Sequence, residues 1–472
     1  MRREGSAVKS VAGHRVIPAA AVLLAIAVLA APAQRRAART LTVCPTGCSY
    51  AQLSTLFAQE DLGPGDVVNV RGDATYAGGI ALGDNDDGAD GNPVRVRWDR
   101  SGVGGATPPR LQGGRHTIAF EGSNYVVLEG FDVTGGSSSC VLNAAHAITV
   151  RDSVIHDCPS HGLLGADHGS GSFTLEYSEV YNAGAGQTRH AIYMASDAVA
   201  HPAAVFRMRF NYVHNGLGGN LIKSRQGRNE IHYNWIEGAA YQELELIGPD
   251  CEAWNGAPPD IRTYSDVVGN VVIHTSAWNN VIRAGGDLNG RSRGLLRLVG
   301  NTIVVDRAAG GANAVLVQLG LEGVEMQGNA IFQGGGAAPV ILAENQDVDD
   351  PICGFTDRRP WVDGVRRVFG ANNWVEVDAA RVPREWNDTL RGADPLFADA
   401  ARRLLRPLVG SALVDAAATR PPSAPDFRFP LPLARPMYEP PLRAKLAPAG
   451  QRLRLPVGGR LDIGALESLA AH

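Results

Sequence analysis

The sequence predicts an all-β chain wound as a right-handed parallel β-helix, a solenoid of short strands stacked coil on coil with an N-terminal capping helix. Three observations carry this. One short apolar pattern recurs along residues 126–332, glycine is abundant and dispersed, and a helical segment stands directly before the first strand. A chain of 472 residues would otherwise suggest two or three ordinary domains. A solenoid grows by adding coils instead.

The N-terminus reads as an export segment. Arg2, Arg3, Lys9 and Arg15 precede an apolar run from Ile17 to Ala31, and Ala31-Pro32-Ala33 supplies small residues for cleavage. The run is short for a membrane span of about 20 residues, so residues 1–33 are expected to be removed and the product to be secreted or periplasmic. Cys44, Cys48, Cys140, Cys158, Cys251 and Cys353 then form an even set in an oxidising compartment, which suggests disulfides. Cys44 pairs most easily with Cys48, and Cys140 with Cys158 could tie neighbouring coils. No cysteine has zinc-site spacing.

Ser49 to Gln59 carries apolar residues at helical spacing and would cap the first coil, hiding a raw sheet edge. Gly63-Pro64-Gly65-Asp66 then turns into the strand VVNV. The acidic stretch Asp84 to Asp90 lacks the order of a calcium loop and reads as a solvated turn before VRVRW.

The body of the chain is set by the repeat. It reads VVLEGFDVTGG from Val126, ITVRDSVIHDC from Ile148, FTLEYSEVYNAG from Phe173 and FRMRFNYVHNG from Phe206. It continues as NEIHYNWIEGA from Asn229, DVVGNVVIHTS from Asp266, LRLVGNTIVVD from Leu296 and VEMQGNAIFQG from Val324. A landmark position is held in turn by Phe131, Ser153, Ser178, Asn211, Asn234, Asn270, Asn301 and Asn329, at steps of 22, 25, 33, 23, 36, 31 and 28 residues. Steps this short exclude propeller blades, and no fixed leucine frame or helix marks a leucine-rich repeat. Coils of three short strands with insertions at one turn fit. The Ser and Asn column suits a stacked, hydrogen-bonded ladder. Fifty-six glycines, above the usual share of about 7%, suit frequent tight turns. Beyond residue 350 the rhythm fades into Pro- and Arg-rich sequence, residues 391–472 read as a closing segment over the last coils, and the β-helix is expected to span 41–390.

A second strand in each coil also aligns: HGLLGAD from His161, HAIYMAS from His190, NLIKSRQ from Asn220, QELELIG from Gln242, NNVIRAG from Asn279 and NAVLVQL from Asn313. Strand alternation turns Glu243 and Glu245 outward. In the same register Tyr193, Lys223, Glu245 and Arg283 form one outward column, flanked by Arg225 and Arg228. The chain holds three lysines, Lys9, Lys223 and Lys445, against 41 arginines, so its one central lysine falls in this column. Arginine stays protonated, whereas a lysine beside other cations can serve as a base. His161 and His190 open equivalent strands and read as a turn ladder, with His190 close to the column. His156, His214 and His274 follow strands and read as surface residues.

GDVVNVRGDATYAGG (65–79), the Asn-centred coils, DPLF (394–397) and LDIGALE (461–467) together resemble the exported right-handed β-helix superfamily that includes pectate lyases, chondroitinase B and alginate lyases. The segment LIKSRQGRNEIHYNWIEG (221–238) is similar to the chondroitinase B and alginate lyase segment in which Lys-Ser precedes an Asn-containing coil. In that family two carboxylates stand before the Lys to hold calcium; here Gly218, Gly219 and Asn220 stand there. That family also has an arginine at the end of the next strand, where this chain has Leu246, Ile247 and Gly248.

The expected activity is β-elimination on a uronate polysaccharide. Lys223 would be the base, Arg283 or Arg225 would neutralise the carboxylate, and Tyr193 or His190 would protonate the leaving oxygen. Arg225, Arg228 and Glu243 would contact substrate. Glu243 and Glu245, about 7 Å apart at alternate strand positions, would alternatively be a hydrolase pair or part of a calcium site, calcium being the one cofactor considered. A non-catalytic surface or polysaccharide-binding solenoid is the remaining alternative. The expected partner is an acidic polysaccharide and the expected state a monomer. The net charge of −4 offers no general attraction to nucleic acid.

Overall fold

Each recurring pattern holds two strands, not one, separated by a two-residue turn: Val126–Glu129 and Asp132–Thr134 flank Gly130-Phe131. The computed structural model describes residues 36–102, 104–251, 262–287, 290–291, 293–307, 311–318, 320–345, 367–419, 429 and 435–469. The export segment and Cys353 lie outside them. Successive coils pair in parallel to build three sheets, which we term A, B and C in chain order. Among the described residues, sheet A has 13 strands, sheet B has 12 and sheet C has 11, one of which, Gly290–Arg291, pairs antiparallel off its main path. This is a right-handed parallel β-helix. The strand read as second in each coil is the third, because the left-handed turn inside the repeat was too short to register as a break.

That turn explains the landmark column. Its first residue has positive φ at Asp152 (51°), Tyr177 (51°), Phe210 (59°) and Tyr233 (58°), and at Gly269, Gly300 and Gly328 in later coils. A non-glycine residue there costs roughly 1–2 kcal/mol. The side chain that follows offsets this. The Asn211 backbone N–H donates to Asn234 Oδ1 at 3.0 Å, and Asn234 and Asn270 repeat the contact one coil on, at 2.8 and 2.9 Å. Each amide also donates back to a carbonyl of the previous coil, as Asn211 Nδ2 does to Leu175. Ser153 and Ser178 continue the ladder upward, and Asn373 adds a rung 44 residues beyond Asn329.

Interior columns are apolar and continuous. In sheet A, Val96, Leu128, Val150, Leu175, Met208 and Ile231 lie in register, and all are buried. The helix Leu53–Gln59 buries Leu53 and Leu56 against the first coil, shorter at its start than the predicted 49–59. Asp86, in the predicted solvated turn, is buried and accepts the N–H groups of Leu62 and Gly83, each at 3.1 Å. Disulfides join Cys44 to Cys48 and Cys140 to Cys158, and Cys251 is also disulfide-bonded.

The C-terminal residues reach further than the last coils. Phe397, Leu405, Leu413 and Ile463 pack with Trp235, Val271, Val304 and Trp374 on the outer face of sheet B. That face is apolar in these coils, which is why it needs a cover. Lys445 reaches back to Asp152, and Tyr438 packs edge-on against Phe210 and Tyr233 at the turn column. Tyr177, Phe210 and Tyr233 stack there at 5.1 and 5.2 Å. The stack ends at Gly269, where a Cβ would lie 2.8 Å from Tyr233 Cδ1 and 3.3 Å from Pro436. Among the described residues, no helix is long and apolar enough to cross a membrane.

Candidate active site

The outer face of sheet C carries the candidate site. The ladder pairs Tyr193 with Lys223, Lys223 with Glu245 and Glu245 with Arg283, so four coils deliver one column of side chains. Ile192, Ile222, Leu244 and Ile282 on the preceding positions point into the core and fix this register.

Lys223 is the centre of the group. Its Nζ lies 3.3 Å from Glu245 Oε2, 3.1 Å from Asp287 Oδ2 and 5.6 Å from the centre of the Tyr193 ring. Burial, and then Arg225, push its pKa down to about 8 against the opposing pull of Asp287. Arg225 is almost fully enclosed. It donates from Nε to Tyr193 Oη at 3.1 Å, from Nη1 to the Gly248 carbonyl at 2.8 Å and from Nη2 to Asp287 at 2.9 Å, with Asp250 at 3.8 Å. Burial alone would raise Asp287, but Arg225 and Lys223 hold it down at about 2. Burial raises Tyr193 to about 12, so its hydroxyl keeps its proton.

Glu245 faces outward, yet its side chain has no exposed surface. Asn220 Nδ2, Gln242 Nε2, Lys223 and Arg283 surround it. It neutralises two cations and orients them. Arg283 spends Nη2 on Glu245, while its buried Nε has no hydrogen-bond partner among the described residues. His190 is held as a neutral ring: its Nδ1 accepts the Asn220 N–H at 2.9 Å, and burial, then Lys223, lower its pKa to about 2. His161 likewise accepts the His190 N–H at 3.1 Å, so the two form a turn ladder.

Three expectations need correction. Glu243 does not face out. The strand begins at Leu244, so alternation does not extend to residue 243, and Glu243 turns inward to His274 Nδ1 at 2.7 Å with no exposed surface. It therefore cannot contact substrate or join Glu245 as a hydrolase pair or calcium site. Arg228 lies on sheet A in the strand Arg228–His232, pairs with Asp266 at 2.9 Å and sits over the Phe429 ring. It belongs to a different face from Lys223. His274 is fully buried and His156 nearly so, because both ring nitrogens of each find partners: Glu243 and the Trp278 carbonyl for His274, Asp157 and Asp132 for His156.

The sequence reading missed Asp167, Asp250 and Asp287. Asp167 and Asp250 follow the end of a sheet C strand, in LLGAD and LIGPD, and Asp287 closes one, in AGGD. This recurrence was the available signal, but it lies past the strand that set the alignment. Burial raises the Asp167 carboxyl, with Asp250 adding to the shift and Arg225 opposing it. The residues do not fit calcium. Glu245 and Asp287 are already compensated by three cations in contact, and no cluster of three or more His, Cys, Asp or Glu among the described residues could hold a metal ion.

No protein-family model matches the chain, and no curated protein matches it in sequence. Among solved structures, pectate lyase Pel9A aligns over 92% of this chain and 97% of its own at 12% identity and a TM-score of 0.44. An alginate lyase from Paenibacillus sp. str. FPU-7 aligns over 65% of this chain and 98% of its own, at 16% identity and a TM-score of 0.32. A complex of XylC with xylose aligns over 76% and 87%, at 10% identity and a TM-score of 0.40.

Proposed function

We propose that the protein is an exported polysaccharide lyase that cleaves a uronate-containing polymer by β-elimination. The observation that carries this reading is Lys223, an amine poised at about 8 between two arginines on the outer face of sheet C. In this reaction Lys223 removes the proton from C5 of the uronate. The electron pair forms the C4–C5 double bond, the C4–O bond breaks, and the leaving oxygen takes a proton from Tyr193. Arg283 faces the substrate carboxylate and stabilises the charge that develops as C5 loses its proton, while Arg225, enclosed by Tyr193, Gly248 and Asp287, positions the Tyr193 hydroxyl. The two cross-coil and cap disulfides suit an oxidising compartment, in keeping with export.

A second reading rests on Asp167. A carboxyl raised by burial and by Asp250 nearby is the form a glycoside hydrolase needs for its acid. The product separates the two. Incubation with alginate, pectate and glycosaminoglycans should generate unsaturated uronate, followed by ultraviolet absorbance, and Lys223→Ala should abolish it. New reducing ends without that absorbance, lost in Asp167→Asn, would replace elimination with hydrolysis.

A further inference from the structure

Tyr241 and Trp278 stand in the turns that lead from sheet B into the strands Leu244–Ile247 and Asn280–Asp287. Their ring centres are 4.5 Å apart at 53°, and Trp278 is 43% exposed. An exposed tryptophan alone is ordinary. This one is held in place from beneath. His274 Nε2 donates to the Trp278 carbonyl at 2.8 Å and Arg307 Nη1 to the same oxygen at 2.9 Å. Ser276 Oγ bridges the two turns, accepting the Trp278 N–H at 3.2 Å and donating to the Tyr241 carbonyl at 3.2 Å. His274 and Arg307 are themselves buried, and the other nitrogen of His274 meets Glu243, one residue before the strand that carries Glu245. Two buried basic side chains thus fix the backbone of a ring that faces solvent, and one of them ties it to the strand of the candidate site.

We infer that Tyr241 and Trp278 form a sugar-stacking subsite that holds a pyranose ring of the bound polymer away from the reacting uronate; this rests on the polysaccharide reading above. An aromatic face packs against the C–H groups of a sugar ring, and such faces with few polar neighbours are typical of ligand sites. Tyr241 is four residues before Glu245, and Trp278 five before Arg283. That places the platform within about 14–18 Å of the site, the reach of four or five extended residues, a length of a few sugar rings. The subsite therefore serves long chains and not single sugars.

The test uses the full chain in the Lys223→Ala background, so that polymer is bound without being consumed. Affinity electrophoresis in gels containing alginate, pectate or chondroitin sulfate measures retention. Trp278→Ala and Tyr241→Ala should each weaken binding to the retained polymer by roughly tenfold, the scale of losing a buried aromatic anchor, and Trp278→Phe should keep most of it. The backbone carbonyl that His274 and Arg307 hold survives all three changes, and circular dichroism checks the fold. In the protein with Lys223 intact, Trp278→Ala should raise KM for long chains, leave kcat unchanged and spare trimers. Unchanged retention in Trp278→Ala, or retention of none of the polymers by the parent, overturns the subsite. Retention that depends on Trp278, in a wild type that yields no unsaturated product, overturns elimination and leaves the subsite standing.

Discussion

The pH dependence of cleavage is set by the environment of Lys223. An ordinary lysine near 10.4 is unprotonated in fewer than about one molecule in a thousand at pH 7. One brought down to about 8 by burial and by Arg225 is free in roughly one in ten at pH 7 and in roughly nine in ten at pH 9. A base must be unprotonated to act, so kcat/KM should rise about tenfold between those values, with an inflection near 8. Asp287 opposes the lowering through its contact at 3.1 Å. Removing its charge in Asp287→Asn should therefore move the inflection to lower pH. Lys223→Arg keeps the positive charge but cannot release it, and should cost about 100- to 10,000-fold, the usual worth of a positioned base. Initial rates of unsaturated uronate formation from pH 6 to 10 provide the assay. A flat profile, an inflection that moves upward in Asp287→Asn, or near-normal rates in Lys223→Arg would each refute the assignment of the base.

Other outcomes concern the frame that holds the site. Asn270 makes four buried hydrogen bonds through its side chain, so Asn270→Ala should destabilise the coils by about 3–5 kcal/mol; Asn270→Ser should recover part of this in urea unfolding, since serine already serves two rungs. Reducing Cys140–Cys158, whose partners are 18 residues apart, or replacing both cysteines by serine, should cost about 3 kcal/mol, read as a lower unfolding midpoint. His274→Ala strands Glu243 in the interior. It should cost about 3–5 kcal/mol at neutral pH. Burial raises the Glu243 carboxyl, so the folded variant holds a proton that the unfolded chain releases near 4.3. Stability of the variant should then fall as pH rises from 5 to 8, and a melting temperature that stays level would contradict the buried-carboxylate account.

The fold was legible because its determinants are repeated. The Ser and Asn rungs recur at every turn from Ser153 to Asn329, and the apolar columns under them leave one consistent winding. Asn373 escaped because 44 residues separate it from Asn329, too long a step for a period of two or three dozen to predict. The column Tyr193, Lys223, Glu245 and Arg283 was legible for a related reason: Ile222, Leu244 and Ile282 pin the strand, and a slip of one residue would bury all four polar groups. Strand alternation stops being informative where the strand does. Glu243 lies one residue outside its strand and turns inward, while Arg228 follows a turn onto another sheet. Asp287 was missed for the opposite reason, since it is recruited by Arg225 and Lys223 from 62 and 64 residues away, and nothing local in AGGD announces those partners. Charge at this site is thus balanced across coils, which means that a substitution in one coil should alter the chemistry of its neighbours. Asp287→Asn and Lys223→Arg, combined, should deviate from the sum of their separate effects, whereas Asn373→Ala, at the turn between sheets A and B and not on sheet C, should combine additively with either.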